Sequence, residues 1–461
     1  MDAFEPAVTK SGGERDPLTA QHCAPEHPAG SDVRMDLRDL SMLQACVVQR
    51  VTSARELVFQ LPDAVTASLG AIAAIPVRDE QDRIESCLDA LLAQRDISGR
   101  PFPPGALGLV LLLNNCSDRT EAIARGRLAA SGAPFALVNV ALPPSQANAG
   151  FARRLALDLA ALWLERADRH DGVLLTSDAD SRVPPQWLAR NLGAIQADCG
   201  AVAGRVTLEP AEEGLLPQAL MRRTARENAY EQALLALSAR IDPIAHDPWP
   251  NHWSASGASY GVTLDAYHTI GGLPCPASGE DRALADALLR YDIPIRHDPE
   301  IVVVTSARLD GRACGGVADT IRKRCEDPEA PGDEKLEPLA NALRRYLWRR
   351  RLRRWHAAGT LHQPSRLQEP SWRVLLGLPP AWRWCAETAG FGALWAQVEA
   401  ASPRLARTPL RPCHMPLHTA AARALLGVLR WPGVKATPGH PTDRLACAAA
   451  GPDEQIALAP S

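Results

Sequence analysis

Two aspartates follow a short apolar run near the middle of the chain, in the segment Thr-Ser-Asp-Ala-Asp-Ser at 176–181. The run at 173–177 reads as a buried strand, so Asp178 and Asp180 would stand at its carboxyl end. Two unneutralised carboxylates this close repel each other. Mg²⁺ or Mn²⁺ removes that conflict, because these ions take one or two carboxylates together with substrate phosphates. The pattern predicts a metal site; the alternative is that Asp180 and Ser181 cap the next helix.

A second acidic pair, Glu280 and Asp281, opens a helical pattern that leads into the apolar run 301–304. Acids at a helix N-terminus are stabilised by the backbone dipole, which is the structural explanation of the pair. The chemical explanation is a general base that takes a proton from an attacking hydroxyl. The residues alone leave both open.

The ends of two other apolar runs carry polar side chains. Residues 75–80 read Ile-Pro-Val-Arg-Asp-Glu, and residues 114–120 read Asn-Asn-Cys-Ser-Asp-Arg-Thr. Small polar side chains can hydrogen-bond a base or a sugar, and they also form ordinary turns and helix caps. Neither segment decides between these roles by itself.

The elements that must position these residues follow from the apolar pattern. Runs at 71–77, 108–113, 136–140 and 173–177 read as buried strands, and amphipathic helix patterns lie between them. In 79–94, for example, the apolar residues fall on one helix face. Such alternation predicts an α/β fold with a mostly parallel sheet covered on both faces. Ligands of these sheets bind outside the carboxyl ends of the strands, where the polar residues stand.

Composition excludes several classes of protein. The chain has 461 residues and a net charge of −3, which argues against a generally basic nucleic-acid binder, and no nucleic-acid partner is expected. No apolar run approaches the roughly 18 residues of a spanning helix. The 11 cysteines form no CxxC pair, so neither a zinc site nor a disulfide framework is indicated. The polar start is unlike a secretory signal, and a cytoplasmic enzyme is the expectation. The excess of arginine over lysine suggests a G+C-rich bacterial genome.

Three regions are expected from these shifts in composition: a poorly ordered extension at 1–66, the strand–helix region at 67–310, and a helical region rich in Arg and Trp at 311–461. The segment 344–355 is strongly basic and aromatic. It could lie on an anionic membrane surface, bind nucleic acid or pack against the acidic stretch 326–337. A solvated helix with an internal charge partner is the plainer alternative.

The order of these motifs resembles that of the family-2 glycosyltransferases, enzymes that use nucleotide sugars and have the GT-A fold. The resemblance spans about 70–310 and includes Gly271-Gly272 before the second acidic pair. It implies a Rossmann-like, GT-A-type sheet with a helical C-terminal extension. It also implies a nucleotide-sugar donor and Mg²⁺ or Mn²⁺.

The resemblance assigns roles residue by residue. Asp178 and Asp180 would form the metal-binding pair that holds the diphosphate, and Asp281 would be the catalytic base, with Glu280 as the competing candidate. The donor-binding residues would be Pro76, Asp79, Glu80, Asn114, Asp178, and Arg153 or Arg154 near the diphosphate.

Three positions depart from the family pattern. Asp79 stands where Asn is common, and Leu113-Asn114 replaces an acidic pair, which puts uracil recognition in doubt. The later histidine of many members is absent from 304–308, and His297 reads as an ordinary strand-proximal residue. Arg308 and Arg312 could neutralise phosphate from a loop; the alternative is a solvated turn.

The implied reaction is a metal-dependent, inverting transfer of a sugar to an acceptor hydroxyl of a saccharide or a lipid-linked compound. A peripheral contact with the inner face of the membrane is left open. Trp249 and Trp253 could stack on the acceptor or pack in a loop. Two other classes compete: a nucleotidyltransferase, whose Gly-rich phosphate loop is not seen at 76–80, and a non-catalytic nucleotide-sugar-binding protein.

Overall fold

The structure is a computed structural model that describes residues 68–144, 146–276, 278–309, 311, 316–361, 371–384 and 390–429. The extension expected at 1–66, and Arg312, lie outside the described residues.

Seven strands form one mixed sheet among the described residues. They are β1 (Ala71–Val77), β2 (Leu107–Asn114), β3 (Phe135–Val140), β4 (Val173–Thr176), β5 (Ala201–Leu208), β6 (Tyr260–Thr263) and β7 (Ile295–Thr305). Their order across the sheet is β3-β2-β1-β4-β6-β5-β7. Only β6 runs antiparallel to its neighbours, β4 and β5; the other pairings are parallel. The predicted α/β class with a mostly parallel sheet is confirmed.

Helices cover both faces of this sheet. Up to residue 290 they are α1 (Ile84–Leu92), α2 (Thr120–Ala129), α3 (Ala149–Arg166), α4 (Trp187–Gln196), α5 (Pro210–Glu213), α6 (Gln218–Ile241), α7 (Leu264–Thr269) and α8 (Glu280–Arg290). Strand β1 shows the alternation that this layering requires. Its Ile72 packs in the core beneath α3, whereas Ile75 packs in the opposite core beneath α1, α2 and α4.

The region after 310 is helical among the described residues, as predicted. It contains α9 (Val317–Glu326), α10 (Leu339–Ala357), α11 (Trp372–Leu375), α12 (Phe391–Ala401) and α13 (Met415–Val428). Buried side chains of α10 and α13, such as Tyr346 and Met415, share a core with Tyr230 and Leu234 of α6. The change in composition near 310 is therefore not a break between cores. No described helix has the length and apolar character needed to cross a bilayer.

Candidate active site

A cavity of about 700 Å³ opens at the carboxyl ends of β1 and β4. Its walls include most of the residues singled out in the sequence. These are Pro76, Glu80, Asn114, Arg153, Asp178, Asp180, Glu280, Asp281 and Arg308. The parallel topology explains the convergence, because it brings strand ends that are distant in sequence to one edge of the sheet.

Arg153 is the buried centre of this arrangement. It projects from the first turns of α3, which begins after Asn148 caps the Phe151 N–H, and it is only 4% exposed. Its Nη2 lies 2.6 Å from the Asp178 carboxylate, and its Nε lies 3.3 Å from Glu280. Burial opposes the charge of Arg153, but Asp178 and Glu280 outweigh that effect and raise its pKa. One cation thus joins the two acidic motifs.

A side-chain hydroxyl and a backbone carbonyl also hold Arg153. Its Nη1 donates 2.8 Å bonds to the Thr176 hydroxyl and to the Gly257 carbonyl. Each nitrogen of the guanidinium therefore has an acceptor, and the Arg153–Asp178 pair orients the Asp178 carboxylate at the end of β4.

Arg308 forms a second charge cluster, after the end of β7. Its guanidinium makes a two-pronged contact with Glu80, at 2.8 and 2.5 Å, and lies 3.0 Å from Asp180. The Thr305 hydroxyl donates to Asp180 at 3.3 Å. Burial, reinforced by Asp178, raises the pKa of Asp180 to about 6. The two aspartates therefore still repel each other, despite an arginine on each.

Asn114 offers an unused hydrogen-bonding group to the cavity. Asn114 is only 3% exposed, and its Oδ1 has no hydrogen-bond partner among the described residues. A buried carbonyl oxygen without a donor is costly, so a ligand N–H at this point would be favourable. The neighbouring Leu113 is fully buried and points into the core.

Asp79 does not line the cavity; it shapes the loop beside it. Its backbone φ is 51°, and its carboxylate accepts bonds from the Ser117 N–H and hydroxyl, at 2.7 and 3.2 Å. Asn and Asp are the side chains that best tolerate this left-handed conformation. Aspartate at position 79, in place of the Asn that is common in the family pattern, is therefore compatible with this turn.

The two acids of α8 have different surroundings, although both line the cavity. Glu280 is held by Arg153. The Asp281 carboxylate accepts a 2.7 Å bond from the Arg282 N–H, within its own helix turn. Because no arginine side chain pairs with Asp281 among the described residues, its carboxylate is more available to a ligand than that of Glu280.

Of the two arginines offered for the diphosphate, only Arg153 lines the cavity. Arg154 instead ties α3 to the loop after α7: it lies 3.2 Å from Asp158 and donates to the Gly271 and Leu273 carbonyls. His297 lies within β7, where its Nδ1 is 2.9 Å from the Asp247 carboxylate, and it is not among the lining residues. Trp249 and Trp253 are not among the lining residues, and Trp253 packs against the core of α6 and α10.

Several lining residues were not singled out from the sequence. Arg78 stands within the first strand-end motif and donates to the Ala147 carbonyl at 3.1 Å. Arg205 and Arg324 also face the cavity, but no motif marked them. The far wall comes from β5, α6, α9 and the α5–α6 loop, and its apolar part includes Leu208, Leu216, Leu220, Met221 and Ile321.

The oxygen ligands of the cavity decide which kind of divalent-metal site it could form. Among the described residues, no group of three His, Cys, Asp or Glu side chains is arranged to enclose an ion. Asp178 and Asp180 supply two carboxylates facing a cavity large enough for a diphosphate. This fits a Mg²⁺-type site whose remaining ligands are phosphate oxygens and water, and it does not fit an all-protein cage.

Comparisons with known proteins give only a distant likeness. No family model and no curated protein matches the sequence. Among solved structures, the chain is similar to the mannosyltransferase PcManGT from Pyrobaculum calidifontis, in complex with GDP-Man and Mn²⁺, at 15% identity, 90% coverage of each chain and a TM-score of 0.36. It is also similar to S. aureus TarS 1–349 in complex with UDP-GlcNAc, at 15% identity, 77% coverage of this chain, 88% of that chain, and a TM-score of 0.37. At these values, the likeness assigns no function to this chain.

Proposed function

We propose that the chain is a metal-dependent glycosyltransferase of family-2 type that moves a sugar from a nucleotide donor to an acceptor hydroxyl. The observation that carries the proposal is the convergence of Asp178, Asp180 and Asp281 on one cavity, where Arg153 pairs with Asp178 and Arg308 pairs with Asp180. Four separate segments of the chain supply these five groups, and together they place three carboxylates and two guanidinium groups on one cavity.

The donor would bind along the strand ends. The free Oδ1 of Asn114 suits an N–H of the base, and Pro76 lies beside it in the cavity wall. Asp178 and Asp180 would hold Mg²⁺ or Mn²⁺, which as a Lewis acid stabilises the charge of the departing diphosphate. Arg153 and Arg308 keep the two carboxylates oriented, and Glu80 anchors Arg308.

Asp281 would act as the general base. Breaking the sugar–phosphate bond builds positive charge on the sugar, and the acceptor oxygen attacks from the opposite face while Asp281 takes its proton. A single displacement of this kind inverts the anomeric centre. No protein side chain becomes attached to the sugar.

The acceptor would lie against the far wall of the cavity. Leu216, Leu220 and Ile321 make that wall apolar, whereas Thr224 and Asn228 add polar groups to it. A saccharide joined to an apolar group, as in a lipid-linked compound, would match this mixture.

Calorimetric titration of UDP, GDP, UDP-sugars and GDP-sugars, with Mn²⁺ and with EDTA, tests the donor half. Binding should need the metal, because two carboxylates otherwise face a diphosphate of like charge. Asp180→Asn should lower the metal-dependent affinity by at least about 10-fold, since one charge-bearing ligand is lost. The exposed Asp171→Asn is the matched control.

Product analysis separates the competing classes. Release of nucleoside diphosphate and free sugar, in the absence of acceptor, supports a glycosyltransferase. Release of pyrophosphate from a nucleoside triphosphate and sugar phosphate would assign a nucleotidyltransferase. Donor binding with no turnover, against a broad acceptor panel, would favour a non-catalytic binding protein. Equal affinity in EDTA would contradict the metal assignment.

A further inference from the structure

Basic charge is concentrated in the helical region after the site. Residues 339–429 contain 14 arginines and no lysine, against three glutamates and no aspartate, in a chain whose net charge is −3. The same residues contain six of the 11 tryptophans. A charge of one sign this dense attracts an oppositely charged partner over about a Debye length.

Helix α10 divides its arginines between two faces. On the inner face, Arg345 pairs with Glu337 at 2.7 Å, and Arg349 and Arg353 both pair with Asp242, at 2.5 and 3.1 Å. For these three arginines, the structure confirms the alternative of an internal charge partner that the sequence analysis gave for 344–355. Only Glu337 of that set belongs to the acidic stretch 326–337.

The outer face of α10 is different. Arg344, Leu347, Arg350, Arg351 and Arg354 are all exposed and recur at a spacing of three or four residues, so they form one stripe along the helix. We call this stripe the basic face. None of its four arginines forms an ion pair with a carboxylate among the described residues. No carboxylate of the described residues neutralises this charge, so it is available to a partner.

Apolar and aromatic groups interleave with this charge. The Arg351 guanidinium lies 5.2 Å from the ring centre of Trp348 and 5.8 Å from that of Trp355. Leu347 is 56% exposed, and in the adjacent α11 Val374 is 64% exposed. Arg404 connects α10 and α11. Its backbone carbonyl accepts a 3.1 Å hydrogen bond from the Arg344 side chain, and its own guanidinium donates a 2.7 Å hydrogen bond to the Leu375 carbonyl.

We propose that the basic face and Val374 dock on the surface of an anionic lipid bilayer. Arginines bind the lipid phosphates, half-buried tryptophans suit the headgroup level, and the exposed Leu347 and Val374 enter the acyl boundary. A nucleic acid would use the arginines but would leave these two aliphatic side chains in water. The inference does not depend on the proposed sugar transfer.

Flotation of the full chain with lipid vesicles tests the proposal. The chain should bind vesicles of phosphatidylcholine with phosphatidylglycerol, and bind vesicles of phosphatidylcholine alone far less, with binding that weakens at high salt. The variant Arg350→Ala/Arg351→Ala/Arg354→Ala should lose about 100-fold in partitioning, from roughly a fivefold factor for each of the three arginines at the surface. Leu347→Ser/Val374→Ser should show a smaller loss that salt does not alter.

Two controls match these variants. Arg100→Ala/Arg125→Ala/Arg290→Ala removes three exposed arginines from the strand–helix region, and Ile97→Ser removes an apolar side chain that is 62% exposed. Both should bind vesicles as the unaltered chain does, and circular dichroism should show all four variants folded. Absent binding, equal binding to neutral and anionic vesicles, or an equal loss in the arginine control overturns the proposal. Binding of mixed-sequence RNA through the basic face, without vesicle binding, would assign the face to nucleic acid instead.

Discussion

At the scale of single residues, the acidic motifs and candidate arginines could be found in the sequence, but the pairings between them could not. Asp178, Asp180 and Asp281 stand next to strand ends or a helix start, where local pattern is informative. Arg153 and Arg154 are adjacent in the chain, and only the direction of α3 sends Arg153 into the cavity. Arg308 reaches Glu80 across 228 residues of sequence, a pairing that no local pattern reports.

The first prediction concerns the base. Asp281→Asn should lower the rate of sugar transfer by about 10²–10⁴, because an amide cannot take the proton of the acceptor hydroxyl. Metal-dependent donor binding should stay nearly unchanged. Turnover with the best donor, and calorimetry with its nucleotide, measure the two effects separately.

Glu280→Gln is the comparison for that variant. Glu280 is held by Arg153, so its loss should weaken donor binding more than Asp281→Asn does. A dead Glu280→Gln enzyme beside an active Asp281→Asn enzyme would move the base one residue upstream. Normal turnover in both would return the pair to a helix-capping role.

A second prediction uses the pKa of Glu231 in α6, which burial raises to about 7, with Arg205 and Lys335 opposing the shift. A raised carboxyl pKa means that the folded state holds the proton more tightly. The protonated Glu231 carboxyl therefore contributes its full stabilisation below the ordinary carboxyl pKa of 4.5, and this stabilisation is lost as the pH rises through 7. Glu231→Gln should remove this loss and raise the free energy of unfolding at pH 8 by about 1–3 kcal/mol relative to the unaltered chain.

Urea denaturation of both proteins at pH 5 and pH 8 measures that difference. The exposed Glu85→Gln, on α1, serves as the control and should follow the unaltered chain at both values. An equal gain from Glu231→Gln at the two pH values would show that the effect is one of packing and not of titration.

At the scale of elements, apolar runs predicted the central strands well. Strand β1 has the predicted bounds; β2 is one residue longer at each end, β3 begins one residue earlier and β4 ends one residue earlier than predicted. These strands are buried on both faces, so hydropathy alone marks them. Strand β5 was missed because only its first half, to Gly204, is buried, and its second half is partly exposed. Strand β7 begins at Ile295, before the apolar run 301–304, because its polar residues 296–298 pair with β5 and are not marked by hydropathy.

The loop that enters β6 gives an element-scale prediction. A Cβ on Gly257 would overlap the Arg153 guanidinium, which is fixed by Asp178, Glu280 and Thr176 and cannot move aside freely. Gly257→Ala should therefore lower donor affinity at least about 10-fold and cost about 1–3 kcal/mol of stability. Calorimetry and thermal denaturation measure the two effects.

Gly193→Ala is the matched control, because its Cβ would meet nothing within 4 Å and it lies inside α4. Alanine in a helix interior should be neutral or should stabilise by about 0.5–1 kcal/mol. Unchanged donor affinity in Gly257→Ala would show that the position of Arg153 is not needed for binding.

At the scale of the whole molecule, the composition change at 310 was predictable but the packing across it was not. Ala318, Ile321 and Arg324 of α9 line the cavity, and α10 and α13 share a core with α6. A deletion of 320–461 would therefore remove part of the cavity wall and expose the apolar face of α6. Sequence pattern shows that a helix is amphipathic, but it does not show which distant helix covers its apolar face.

The contact of α12 with the end of α8 gives the last prediction. The Gly392 N–H donates to Asp292 at 2.6 Å, and a Cβ on Gly392 would overlap the Leu289 carbonyl oxygen, so Gly392→Ala must separate the two helices. Because the helical region shares its core with α6, the loss of about 1–3 kcal/mol should lower one cooperative melting transition of the whole molecule. Gly427→Ala, in α13 with nothing within 4 Å of its Cβ, should leave that transition unchanged or raise it. Scanning calorimetry that resolves two transitions, with only one lowered by Gly392→Ala, would show instead that the helical region unfolds independently.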